Sequence, residues 1–114
     1  MIQRLRLCSA HSADDLLDSV TSINSDMFSD VSLCIIDNVC SPVMKMISSD
    51  EVRSSVSSGA RISHLLHSVA ARGAAVLITN NMRGAGDHHN PAPALGSVWS
   101  NTAHVRLMLG TVIK

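Results

Sequence analysis

Two short apolar runs with a helical pattern between them constrain the fold of this 114-residue chain most strongly. In residues 31–37, five of the first six residues are apolar and Asp37 closes the run. Such a run predicts a strand buried on both faces, as in parallel sheets. Residues 74–79 form the second run. Between the runs, an amphipathic pattern stops near Arg72 and Gly73, and its apolar positions are Ile62, Leu65, Leu66 and Val69. Strands joined by helical crossovers predict an α/β fold with a mostly parallel sheet and flanking helices.

The segments at either end extend this order. Residues 4–8 alternate polar and apolar side chains, which predicts a half-buried strand. Ser12 with Asp15 three residues later predicts a capped helix start. Residues 103–109 carry Val, Leu and Leu at alternate positions and predict a fourth strand. The predicted order is therefore β-α-β-α-β-loop-β.

Two stretches show neither the helical nor the strand periodicity of apolar residues. Residues 38–58 predict a solvated loop, since six of the 11 residues from 48 to 58 are serine. Residues 80–101 contain several glycines and prolines, which predicts irregular structure. A long irregular segment between strong strands of one compact domain is typical of a functional loop.

Composition limits the function classes. Nine basic and nine acidic residues give a formal net charge of zero, which argues against nucleic-acid binding through a strong basic surface. Apolar residues make up 46% of the chain but aromatic residues only 2%, so a core of this chain lacks the large rings that usually dominate burial. We therefore expect that packing partners lie outside the sequence shown.

Cysteine usage and hydropathy indicate a compartment. The chain has three cysteines, Cys8, Cys34 and Cys40. Their spacing shows no pairs, and two of them lie in apolar runs. This pattern favours buried free thiols in a reducing compartment. The sequence contains no apolar stretch approaching the ~18 residues that span a bilayer. These features predict a cytoplasmic or nuclear protein without membrane association.

The first candidate site residue is Asp37. It follows an apolar strand, and in open α/β sheets ligands bind outside the carboxyl ends of the strands. A carboxylate there is a suitable ligand for hydrated Mg²⁺, although aspartate also commonly closes a strand into a turn. Thr79, Asn80 and Asn81 follow the next strand, where amides can sense a phosphate or a metal-bound water. Ordinary turn chemistry is the alternative for this second group.

Histidines and serines give weaker signals. His88 and His89 are adjacent and cannot easily converge on one metal, so the spacing gives zinc little support. The sequence contains no nucleophile elbow of the form G-x-S-x-G, so hydrolase chemistry has no support.

The order and spacing of these segments resemble those of the RecA-type recombination ATPases, and most closely the paralogues of the eukaryotic strand-exchange recombinase. The matching stretches cover nearly the whole chain: RLR at 4–6, SADDLLD at 12–18, LCIIDNV at 33–39, AVLITNN at 75–81, PALGSVWS at 93–100 and VRLML at 105–109. The resemblance implies a partial RecA-like three-layer fold over residues 1–114.

The resemblance also implies roles for single residues. Asp37 would be the Walker B aspartate that positions, through water, the Mg²⁺ of bound ATP. Asn80 and Asn81 would also belong to the cofactor site, and Asn81 would link the nucleotide site to the DNA loops. Residues 38–58 would correspond to the first DNA-binding loop and residues 82–98 to the second. Within the second loop the implied DNA contacts are Arg83, His88 and His89, and Trp99 would pack behind it.

Departures from the family pattern lower the expected activity. The Walker A sequence G-x-x-x-x-G-K-[ST] does not occur in the 114 residues, and neither does an upstream catalytic glutamate. Positioning and charge neutralisation are most of phosphoryl-transfer catalysis, so this chain is not expected to hydrolyse ATP. The chain would be a fragment, a truncated isoform or a degenerate paralogue.

The expected function is therefore in homologous-recombination DNA repair, in the nucleus. The chain would assist recombinase filaments on single-stranded DNA by binding other recombinase paralogues. Two alternatives stay open: a DNA-dependent ATPase whose P-loop lies outside this sequence, and an α/β protein-interaction domain without a nucleic-acid role.

Overall fold

The computed structural model describes residues 4–47, 52–83 and 92–110. Its elements, in chain order, are α1 (Ala13–Ile23), a 3₁₀ turn (Asp26–Phe28), β1 (Leu33–Ile36), α2 (Cys40–Ile47), α3 (Val52–Ala71), β2 (Ala75–Ile78), β3 (Met82–Arg83), β4 (Ala92–Pro93) and α4 (Gly96–Ser100).

A parallel strand pair forms the centre of the fold. β1 and β2 pair in parallel, with Leu33 opposite Ala75 and Ile36 opposite Ile78. The hydrogen bonds continue past both ends of the pair, from the Ala75 N–H to the Ser32 carbonyl and from the Thr79 N–H to the Ile36 carbonyl. A parallel pair whose strands are linked through helices confirms the predicted α/β class.

The core lies on one face of this pair. Cys34 and Ile36 are 6% and 8% exposed, whereas Leu33 and Ile35 are 56% and 58% exposed. On β2, Leu77 is 53% exposed. The buried side chains join one cluster with residues of α1, α2 and α3. The prediction that the first strand is buried on both faces is wrong, because all these helices pack against the same face of the pair.

Local capping fixes the start of α1, as predicted. The Ser12 hydroxyl accepts a hydrogen bond from the Asp15 N–H at 3.1 Å, and the Asp15 carboxylate accepts from the N–H groups of Ser12 and His11. The His11 N–H, and then Ser12, lower the pKa of the Asp15 carboxyl below its ordinary value of 3.8. The helix then buries one apolar stripe against the core, formed by Ala13, Leu16, Leu17 and Val20.

The end of α3 is joined to the end of α1. Gly73 has a φ of +98°, a left-handed conformation that ends the helix, as its position in the sequence predicts. The Arg72 guanidinium donates to the backbone carbonyls of Asn24 and Ser25, just after α1. A cation therefore satisfies carbonyl groups that the end of α1 leaves open.

The prediction of a loop over residues 38–58 is wrong for the part that the structure describes. Residues 40–47 are helical in α2, and α3 begins at residue 52; residues 48–51 lie outside the described residues. Asn38 and Pro42 are helix-start signals that explain α2: the Asn38 side-chain oxygen accepts from the Ser41 N–H at 2.8 Å, and proline is tolerated in a first helical turn.

The strands predicted at residues 4–8 and 103–109 do not form in the described residues. Residues 5–10 have no regular structure, and Arg6 lies over the Phe28 ring at 4.8 Å. Residues 106–110 are likewise irregular. Alternation alone makes no strand, since a strand needs a neighbouring strand to accept its backbone hydrogen bonds.

The segment after β2 has more structure than its composition predicts. β3 and β4 pair antiparallel, and α4 begins after Leu95, whose φ of +71° is rare for a residue with a side chain. Trp99 of α4 lies in the core, as expected for a packing residue. Residues 84–91, which include His88 and His89, lie outside the described residues.

The cysteines match their predicted state in two of three positions. Cys34 and Cys40 are buried free thiols and Cys8 is exposed. Burial raises the pKa of the Cys34 thiol above its ordinary value. Among the described helices, none combines the length and apolar character needed to cross a bilayer.

Replacing Gly73 with alanine should destabilise the chain by about 1–2 kcal/mol, because a side chain at this positive φ is strained. Urea unfolding followed by circular dichroism measures the change. Gly110→Ala is the matched control, since a Cβ at that position would meet no heavy atom within 4 Å and its φ lies outside the left-handed region. Equal midpoints for both variants would contradict the left-handed conformation of Gly73.

Replacing Asp15 with asparagine should make stability less sensitive to acid. The lowered pKa means that the carboxylate stabilises the fold fully above its ordinary value of 3.8 and loses this effect as the pH falls through the folded-state value. Melting temperatures measured from neutral to strongly acidic pH should therefore converge for wild type and Asp15→Asn at the acid end. Asp14→Asn, in the same helical turn, is the control. If the melting temperatures of wild type and Asp15→Asn differ by the same amount at every pH, the capping role of Asp15 is contradicted.

Candidate functional site at the carboxyl edge of the sheet

Asp37 and Thr79 define a polar pair where the two parallel strands end. Each residue directly follows its strand, and strands in parallel register end at the same edge. The Thr79 hydroxyl donates a 2.7 Å hydrogen bond to an Asp37 carboxylate oxygen, and both residues are exposed. The predicted placement of Asp37 at the carboxyl edge is therefore confirmed.

Backbone hydrogen bonds fix the geometry of this edge. The Thr79 N–H donates to the Ile36 carbonyl at 3.0 Å, and the Val39 N–H donates back to the Thr79 carbonyl at 3.1 Å. Val39 is fully buried in the core. The turn that follows Asp37 is thus fixed both to the neighbouring strand and to the hydrophobic core.

The Asn80 amide connects the edge to the segment that follows it. Its nitrogen donates to the Ala94 carbonyl at 2.9 Å, and its oxygen accepts from the Asn81 N–H at 2.9 Å. The Ala94 N–H donates to the Asn81 carbonyl at 2.8 Å. Both ends of the Asn80 amide therefore make internal hydrogen bonds, which gives this residue a structural role at the edge. Its implied contact with a nucleotide stays a prediction, as does that of Asn81.

Arg83, which follows Thr79 by four residues, supplies a positive charge near the site residues in the sequence. It lies in β3, where it pairs with Ala92 of β4, and its side chain is exposed. The hydrogen bonds between Ala94 and residues 80–81 attach this hairpin to the carboxyl edge. His88 and His89, the other implied DNA contacts, lie outside the described residues.

The donor set at this edge suits an indirect metal contact. Mg²⁺ usually keeps several waters and binds one or two carboxylates together with substrate phosphates. The described residues contain no cluster of three or more histidine, cysteine or acidic side chains that could hold a metal ion. The Asp37 carboxylate is thus one oxygen ligand through which a hydrated Mg²⁺ could be held at this edge.

Asn38 is a site residue that the sequence predictions missed. Its side chain accepts from the Ser41 N–H and so fixes the start of α2 directly after Asp37. The combination of Asn38 with Pro42 four residues later is the signal that could have found it.

No protein-family model, characterised protein or solved structure matches the chain. Function is therefore inferred from the residues of this edge and from the motifs of the sequence.

Removing the Thr79 hydroxyl should lower the stability of the chain. Thr79→Val keeps the shape but deletes the hydrogen bond to Asp37, and we expect a loss of about 1 kcal/mol in the free energy of unfolding. Thr79→Ser retains the hydroxyl and is the control. A double-mutant cycle of Thr79→Val with Asp37→Ala measures the coupling free energy between the two side chains. A coupling free energy near zero would contradict the hydrogen bond between them.

Proposed function

We propose that this chain is a segment of a RecA-type recombination ATPase, most similar to the D-type paralogue of the eukaryotic strand-exchange recombinase. It acts in the nucleus, in homologous-recombination DNA repair, and assists recombinase filaments on single-stranded DNA by binding partner paralogues. The observation that carries the proposal is the placement of Asp37 at the carboxyl edge of a parallel strand pair, beside Thr79 of the neighbouring strand.

The exposed face of the strand pair supports a partial three-layer fold. Parallel sheets occur almost only with both faces covered, and here helices cover one. Leu33, Ile35 and Leu77 leave an apolar surface on the other face. In a complete RecA-like fold, a second helical layer would lie on these side chains.

The residues present fit the family's cofactors in part. Asp37 suits a water-mediated contact with Mg²⁺, as its family role requires. A phosphate cradle needs the backbone amides and lysine of a P-loop, and the 114 residues do not contain that motif. ATP therefore has no complete site on these residues, and no catalytic step is assigned to them.

Binding to DNA depends on the hairpin of β3 and β4 and the segment between them. Arg83 is exposed there and supplies the charge for a phosphate contact. The formal net charge of zero means that the nine basic residues are balanced by nine acidic ones, so the chain as a whole has no excess positive charge to reinforce this contact. Binding by this chain alone is therefore weak and falls steeply with salt.

A second candidate function is an α/β protein-interaction domain without a nucleic-acid role. The exposed apolar face of β1 and β2 favours it, because contiguous exposed apolar surface marks interaction sites. Both candidates include a protein partner, and DNA binding separates them.

Fluorescence anisotropy with a labelled single-stranded oligonucleotide should show weak binding at about 50 mM salt and a large loss at about 200 mM. Arg83→Gln should lower the affinity and reduce the salt slope by about one, because one phosphate contact is removed. Arg61→Gln, which removes an exposed cation of α3, is the matched control. An absence of binding at low salt would favour the interaction domain, and equal effects of both variants would exclude a specific role for Arg83.

The 114-residue chain should release no phosphate from ATP above background, with or without Mg²⁺ and single-stranded DNA, because its sequence provides no P-loop. A coupled phosphate assay on the purified chain measures this. Release that is abolished by Asp37→Ala would contradict the prediction and would support the alternative of a DNA-dependent ATPase.

A further inference from the structure

The β1–β2 pair offers open edges as well as an open face. Within the described residues, this sheet has two strands, so the outer edge of each is unpaired. Unpaired strand edges present a row of backbone donors and acceptors that can pair with an added strand. Leu33, Ile35 and Leu77 extend the apolar surface across the same sheet.

Residues 105–109 have a strand pattern, but they pair with no strand in the part of the chain that the structure describes. Val105, Leu107 and Leu109 alternate along this segment and are 76%, 84% and 95% exposed. The segment has no regular structure among the described residues. Its period matches a strand with one apolar face, which is the kind of strand that would extend an apolar sheet surface.

Contacts just before this segment hold it on the helical side of the sheet. The Ser63 and Thr102 hydroxyls lie 3.0 Å apart, and the His67 and His104 rings meet edge to face with centroids 5.1 Å apart. Both partners, Ser63 and His67, belong to α3, which packs on the covered face. Residues 105–109 therefore start from the covered face of the β1–β2 sheet. The open apolar face of the same sheet lies on the opposite side.

We propose that two copies of this chain associate by exchanging residues 105–109, each copy adding this segment as a strand to an open edge of the β1–β2 sheet of the other. The chain carries both the acceptor, an open-edged apolar sheet, and the donor, an exposed apolar strand sequence. A second copy thus supplies what each copy lacks, and the exchange is reciprocal, as in an isologous dimer. The proposal does not depend on nucleic acid or on the family assignment.

Charge and area both favour a second copy as the occupant. The formal net charge of zero gives two copies no net repulsion. A stable interface buries about 800 Å² on each partner, more than Leu33, Ile35 and Leu77 can provide. The exchanged segment adds the large exposed side chains that the sheet alone does not provide; they are Val105, Leu107, Met108 and Leu109.

Sedimentation equilibrium of the purified chain over a wide concentration range tests the proposal. We expect a concentration-dependent shift from the 12.1 kDa monomer to a species of twice that mass. Leu107→Gln should raise the dissociation constant of the dimer by roughly tenfold or more. Arg106→Gln is the matched control, since its side chain alternates with the apolar positions and should leave the dimer intact.

A third variant separates exchange from simple face-to-face packing. Leu77→Gln should weaken the dimer as Leu107→Gln does, because both side chains lie on the extended apolar surface. All three positions are exposed in the monomer, and circular dichroism checks that the variants remain folded. A dimer weakened by Leu77→Gln but not by Leu107→Gln would overturn the exchange. A monomer at every concentration, or open-ended association beyond the dimer, would overturn the proposal as a whole.

Discussion

The structure depends on the parallel pairing of β1 with β2. These strands are 42 positions apart from Leu33 to Ala75, and the register between them sets the positions of everything that follows. Because the strands end together, Asp37 comes within hydrogen-bonding distance of Thr79. The same pairing lets α3 cover Cys34 and Ile36 and brings Arg72 to the end of α1. If one strand slipped by one residue, the side chains that it buries would move to the exposed face.

The one-sided covering of this pair agrees with the unusual composition. A chain with 2% aromatic residues has few large side chains with which to fill a core, and the core it forms lies on one face of a two-stranded sheet. The other face and both edges stay open within the described residues. Incomplete burial of this kind is a physical reason to expect a protein partner, whether a paralogue or a second copy.

Local signals in the sequence account for the correct predictions. Ser12 and Asp15 identify the start of α1, and Gly73 identifies the end of α3, since caps act within a few residues. The placement of Asp37 follows from strand order alone. The strands expected at 4–8 and 103–109 fail because a strand requires a distant partner that alternation does not reveal. The attachment of β4 to the edge through Asn80 likewise links residues far apart in sequence.

Amide hydrogen exchange followed by mass spectrometry tests the central pairing most directly. If β1 and β2 form the hydrogen-bonded centre of the fold, peptides covering residues 33–36 and 75–79 will exchange more slowly than irregular segments, because alternate N–H groups of each strand are bonded across the pair and lie next to the core. Peptides covering residues 5–10 will exchange rapidly. Equally rapid exchange in all three segments would contradict the pairing and, with it, the site at its carboxyl edge.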